Sequence, residues 1–163
     1  MTRQVLIPQA SSAVITAWAT LLKAHASAKR ELSSQLQADH GLTINDYECL
    51  LVLSHAEEGA MRRVDIAGEL MLTPSGVTRL LDGLEEAGYV CKKSCSTDAR
   101  VSYAVLTDAG RQKLEEASGS HLTAVAELFE ERFSAEELET LAELLGRLPG
   151  AVGDGSACSP GHA

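Results

Sequence analysis

Apolar residues recur at three- and four-residue spacing in six stretches of the chain, and a short region past the middle alternates instead. From Gln9 to about Asp39, Val14, Trp18, Leu21, Leu22, His25, Leu32 and Leu36 fall on one stripe of a long helix, which Gly41 ends. Thr43 is a fitting N-cap for the next helix, with Asp46 three residues on as its capping-box acid. That helix runs to about His55 and buries Tyr47, Leu50 and Leu51, and Glu57-Glu58-Gly59 then makes a turn. A short helix follows from Val64 to Met71, with Val64, Ala67, Leu70 and Met71 on one face. Thr73-Pro74 starts another: the threonine accepts from a first-turn amide, and proline at the first position gives up an amide that has no partner. Val77, Leu80, Leu81 and Leu84 are its buried face, and Gly88 is its stop.

Tyr89–Lys92 and Val101–Leu106 then read as two strands of a hairpin whose tip carries Lys93, Asp98 and Arg100. Thr107 caps a long helix, Asp108 to about Arg132, with Leu114, Ala117, Leu122, Val125 and Phe129 as its face; Ser118-Gly119-Ser120 is where it would kink. Ser134 and Glu137 form a second capping box, ahead of Leu138, Leu141, Leu144, Leu145 and Leu148, and Pro149-Gly150 stops that helix.

Two short helices joined by a tight turn, with small Ala67 where they must approach, describe a helix-turn-helix. In that motif the second helix enters the major groove of DNA by its N-terminal end. Here the end offers Thr73, Ser75, Gly76, Thr78 and Arg79, opposite Val77 and Leu80. Hydroxyls and amides suit phosphates, and an arginine suits a phosphate or the acceptor edge of guanine. The basic hairpin beside it, with Lys92, Lys93 and Arg100, is a wing placed to touch backbone or minor groove; strand alternation predicts that one of the two lysines points at DNA. The N-terminal helix and the two C-terminal ones carry apolar stripes that a winged core of about 55 residues cannot cover alone. A second copy of the chain would bury them. Two recognition helices about 34–36 Å apart would then read successive faces of a palindrome.

Several runs together carry a family resemblance: Ile66-Ala67-Gly68-Glu69-Leu70, Ser75-Gly76-Val77-Thr78-Arg79-Leu80-Leu81-Asp82, Leu84-Glu85-Glu86-Ala87-Gly88-Tyr89-Val90, Asp98-Ala99-Arg100 and Leu106-Thr107-Asp108-Ala109-Gly110. In these the chain resembles the MarR family of transcriptional regulators over roughly residues 10 to 148. The resemblance implies a mainly α fold with a small antiparallel β-hairpin wing: a winged helix-turn-helix whose N- and C-terminal helices form a dimerisation region. The expected division is a flexible arm 1–8, a domain 9–148 with dimerisation helices 9–40 and 108–148 around a DNA-binding core of about 43–107, and a disordered tail 149–163. The implied function is a homodimeric repressor on a pseudo-palindromic operator in double-stranded DNA, released by a small-molecule effector. In the family pattern the wing arginine, Arg100, reaches the minor groove and Asp98 orients it; Ala99 departs from a second arginine often found there. The effector site of the family lies between the dimerisation helices and the winged core, where Trp18, His25, Tyr47, Glu48 and Arg62 would line it.

Composition adjusts this picture in three places. The 163-residue chain has a net charge of −9, which read globally argues against a polyanionic partner. Between Met61 and Leu114, however, eight basic residues face seven acidic ones, and much of the acid lies between Glu127 and Glu143, away from the helix-turn-helix. An acidic body discourages non-specific adhesion while leaving a modest positive face. No run of apolar residues is long enough to span a membrane and no secretion signal is evident, so a cytoplasmic location is expected and the four cysteines are expected to be free thiols. Of these, Cys91 and Cys95 sit on or near the wing beside Lys92 and Lys93, which opens a redox-responsive alternative in which oxidation reshapes the wing.

The histidines are scattered without paired ligand spacing, so neither a metal nor a cofactor is expected. Neither a nucleophile elbow, a phosphate-binding glycine loop nor a zinc-protease motif occurs, and Ser120 and His121 are adjacent on a helix and point apart, which argues against an enzyme. A winged helix that binds proteins and has lost DNA is the remaining alternative; Arg79, Asp98 and Arg100 weigh against it.

Overall fold

The computed structural model describes residues 11–94 and 102–149. The expected arm 1–8 and nearly all of the expected tail 149–163 lie outside these residues. In chain order the elements are α1 (Ser12–His40), α2 (Ile44–His55), a 3-10 turn (Glu57–Gly59), β1 (Ala60–Arg62), α3 (Arg63–Glu69), α4 (Pro74–Glu86), β2 (Val90–Ser94), β3 (Ser102–Leu106), α5 (Asp108–Glu130) and α6 (Ala135–Leu145). The chain divides into two units, Met1–Thr123 and Ala124–Ala163.

Local chemistry sets most boundaries. Ser11 caps α1, and Gly41 ends it at φ +69° with its amide donated back to Gln37 and Leu36 carbonyls. Thr43 and Asp46 close a full capping box on α2, and Ser134 and Glu137 do the same on α6. The Thr73 hydroxyl accepts from the Gly76 amide at 3.1 Å, with Pro74 in the first helical position. Gly88, at φ +76°, turns the chain out of α4 into β2. α5 runs unbroken through Ser118-Gly119-Ser120, the stretch whose composition leaves room for a kink. The hydroxyls there bond back to their own helix, Ser118 to the Leu114 carbonyl at 2.7 Å and Ser120 to Ala117 at 3.3 Å, and the ladder stays intact.

In the first unit a single core gathers under α2. Cys49, Leu50 and Leu53 from that helix, Leu36 from α1, Ile66 from α3, Val77 and Leu81 from α4 and Ala117 from α5 are all essentially sealed from solvent. α3 turns a different face inward from the one its spacing suggested. Ile66 is the buried residue, Ala67 and Leu70 are half-buried, and Val64 and Met71 are exposed. Met71 also holds φ +51°, a left-handed conformation that a side chain with a Cβ enters at a cost.

The wing is larger than a hairpin. The sheet has three antiparallel strands in the order β1-β3-β2, so β3 is central and pairs with β1 at Met61↔Ala104 and with β2 at Lys92↔Ala104. Ala104 and Leu106 on β3 and Val90 on β2 turn into the core and tie the sheet to the helices.

Candidate nucleic-acid interface

α4 is amphipathic with one side committed to the core. Val77, Leu81 and Leu84 are buried, and Ser75, Thr78, Arg79 and Asp82 face solvent. The hydroxyls at its N-terminal end are already engaged locally. Thr73 Oγ1 caps Gly76 and lies 3.2 Å from Ser75 Oγ, and Thr78 Oγ1 donates to the Pro74 carbonyl at 3.0 Å. Arg79 is exposed and forms no ion pair among the described residues, so its guanidinium is available to an incoming acceptor. A helix N-terminus adds the partial positive charge of its unpaired amides, which favours an anion. On β2, Lys92 and Lys93 are both exposed, opposite Ala104 and Tyr103 of β3. Asp98, Arg100 and Cys95 lie outside the described residues.

Among the described residues, the five named for an effector pocket stand in different surroundings. Trp18 and His25 are exposed along α1, and Arg62 is held at the β1–α3 junction by a two-point pair with Asp65 at 2.6 and 2.9 Å. Glu48 is engaged by Lys29 at 3.7 Å across α1 and α2. Tyr47 alone is buried, and it belongs to a polar seam that the spacing of residues did not reveal. Its hydroxyl lies 3.2 Å from Ser118 Oγ, and its ring meets the His121 imidazole with centroids 4.5 Å apart. Next along α5, Ser120 Oγ sits 2.6 Å from His40 Nε2. These contacts stitch α1 and α2 to α5. An open groove of about 550 Å³ does run along α1, lined by Ser27, Arg30, Glu31, Ser34, Gln35 and Ala38, and it includes none of the five.

His121 is the buried histidine of the seam, and among the described residues its Nδ1 has no hydrogen-bond partner. Burial pushes its pKa below the ordinary value, and the charge of Glu48 only partly opposes this. The unfolded chain therefore takes up the His121 proton first as pH falls. Stability from this group is whole above the ordinary histidine pKa of about 6.5 and is lost as pH drops from there toward the folded value. The melting temperature of the wild type is expected to fall between pH 7.5 and 5.5 by more than that of His121→Gln, as followed by circular dichroism. Equal slopes would show that the imidazole is not excluded from solvent.

The thiols divide sharply. Cys49 is sealed in the core, where desolvation, aided by the Asp46 charge, pushes its pKa up to about 12; it is not a reactive group. Cys91 is free and exposed on β2.

A family model for the transcriptional regulator SarA/Rot matches residues 31–117. AbsC of Streptomyces coelicolor, a MarR family transcriptional regulator, is 30% identical and superposes with a TM-score of 0.75, covering 85% of this chain and 93% of its own. The chain belongs to the MarR family of transcriptional regulators. Sco3205, a MarR family regulator of the same organism solved in complex with DNA, is 26% identical with a TM-score of 0.78, covering 86% of this chain and 89% of Sco3205. The HTH-type transcriptional repressor YetL of Bacillus subtilis is 28% identical over 111 residues, which span 68% of this chain and 66% of YetL, just under two thirds. The MarR assignment makes this a regulator of transcription rather than an enzyme. No described helix is long and apolar enough to cross a membrane.

Proposed function

We propose that this MarR-family chain is a homodimeric, sequence-specific repressor that binds a pseudo-palindromic operator in double-stranded DNA and is released by a small-molecule effector. The observation that carries the reading is the solvent-facing side of α4, where Ser75, Thr78 and Arg79 are exposed, together with the exposed Lys92 and Lys93 of β2, a strand that packs on α4. Such a surface suits a reading in which the helix end enters the major groove and the wing meets the backbone. Sco3205 in complex with DNA, and YetL as a repressor, support it by similarity. The seam of His40, Tyr47, Ser118, Ser120 and His121 joins α1 and α2 to α5, so an effector that pried it open would shift α2, on which α3 and α4 pack, against α5.

Selection of bound sequences from random duplex DNA tests the reading. It should return an inverted repeat with half-sites about 10 base pairs apart, or a multiple of that. Affinity for the recovered duplex should fall linearly in log–log form as salt rises. Arg79→Ala should weaken it about 10- to 100-fold, the range expected on losing a bidentate base contact. Enrichment of no sequence, or an Arg79→Ala protein that binds as well as wild type, would sink the reading.

A further inference from the structure

On the outer side of α4, Asp82 stands three residues after Arg79, so the two share a face of the helix. A carboxylate there is an odd companion for a polyanion, and it has a partner from another element. Arg63, the first residue of α3, brings Nη2 to 4.0 Å from Asp82 Oδ1. The two ends of this pair differ in environment. The Asp82 side chain is 65% exposed and that of Arg63 only 27%, and Arg63 Nη2 is shut off from solvent with no hydrogen-bond acceptor among the described residues. A guanidinium nitrogen withdrawn from water without an acceptor is costly, and the nearest compensation is the Asp82 charge. As a source of stability a pair so open on one side is weak. Its consequence is geometric: it links the second half of α4 to the start of α3, while the N-terminal half is held by the Thr73 cap and by Val77, with half-buried Leu80, against the core.

We propose that Arg63 is a positioning residue for the recognition helix: through Asp82 it fixes the angle at which α4 presents Arg79 to the bases, without itself touching DNA. The inference rests on the DNA-binding reading above. Arg63 differs in this from its neighbour Arg62, which is exposed and spends its charge on Asp65 within its own turn.

The test is a double-mutant cycle on equilibrium binding, read on the duplex recovered by selection and on a scrambled duplex of equal length, each over a salt series. Arg63→Met and Asp82→Asn should each lower the preference for the selected duplex about tenfold, and the pair together should lower it no further, the mark of two residues acting as one unit. Binding to the scrambled duplex and the slope of log affinity against log salt should stay as in wild type. If Arg63→Met instead weakens both duplexes alike and reduces the slope by about one, Arg63 is a phosphate contact and the positioning role is overturned. Additive losses, or a preference unchanged in both variants, overturn it too. Asp82→Asn alters a solvent-facing side chain and keeps the experiment decisive should Arg63→Met fail to fold. A wild-type protein that binds neither duplex would count against the DNA-binding reading itself, a result distinct from all of these.

Discussion

Gly110→Ala is expected to destabilise the protein by about 3 kcal/mol or more, although alanine ordinarily improves a helix interior by about 1 kcal/mol over glycine. Gly110 lies in the first turn of α5, under the base of the wing. A Cβ built there falls 2.1 Å from the Tyr89 carbonyl oxygen and 2.8 Å from Leu106 Cδ1. The oxygen is main chain and cannot swing away as a side chain would. It is also in use, accepting from the Thr107 amide at 3.1 Å. The Thr107 hydroxyl donates to the Gly88 carbonyl at 2.8 Å and accepts from the Gly110 amide at 3.0 Å, so the end of α4, the start of β2 and the start of α5 are knotted within four residues. Separating them by the ångström or more that a methyl requires breaks these bonds and lifts Leu106 and Val90 from the core. At roughly 2–4 °C per kcal/mol for a chain of this size, the melting temperature should drop by about 10 °C. Gly119→Ala, farther along the same helix, is the control. Nothing lies within 4 Å of its added Cβ, and it should melt at or slightly above wild type. Parallel thermal melts decide the matter: if Gly110→Ala melts with wild type, α5 does not press on β2 as described.

That knot also marks the boundary of what the sequence makes legible. Caps and stops are local chemistry, and Thr43 with Asp46, Ser134 with Glu137, Thr73 before Pro74 and Gly88 after α4 all stand where their residue types predict. The long stripes of α2 and α4 are legible for the same reason, since Leu50, Leu81 and Leu84 repeat over enough turns to define one face. α3 is too short for that. Over seven residues two faces fit the spacing equally, and packing against α2 and α4 chose Ile66 over Val64. β1 is three residues long and exists as a strand only because β3 offers it a free edge, which no window of sequence contains. The seam of Tyr47, Ser118, His40 and Ser120 joins residues 71 and 80 positions apart, and nothing in the neighbourhood of His121 announces its burial. At the candidate interface, naming Ser75, Thr78 and Arg79 needed only the orientation of α4, and the helix exposes all three. The Arg63–Asp82 pair needed the crossing of two helices and was invisible before it.

Trp18→Glu combined with Leu22→Glu is expected to turn the proposed dimer into a monomer and to reduce operator affinity by a factor of about 10² to 10⁴, the avidity lost when two linked sites bind separately. The first half of α1 has no buried residue; Leu36, near its far end, is the only one in the helix. Val14, Ile15, Trp18 and Leu22 lie within about one quadrant of the helix and are between 48% and 59% exposed. Leu122 on α5 and, in the second unit, Leu144 and Leu145 of α6 and Leu148 just past its end are likewise uncovered. An isolated helical segment of this length is marginal in water, so the first turns of α1 need a surface to lie on. Apolar area of this kind contributes only when it leaves water, at about 25 cal/mol per Å², and a symmetric partner supplies the same stripes in return. Because neither Trp18 nor Leu22 belongs to the core of its own unit, the double variant should keep a folded winged helix and the melting behaviour of its core. Sedimentation equilibrium measures the mass, and binding to a full palindrome against a single half-site measures the avidity. Wild type should prefer the full site by orders of magnitude, and the variant should bind both alike. A variant that remains dimeric, or still prefers the full site, would move the interface away from α1 and leave its exposed tryptophan without a role in assembly.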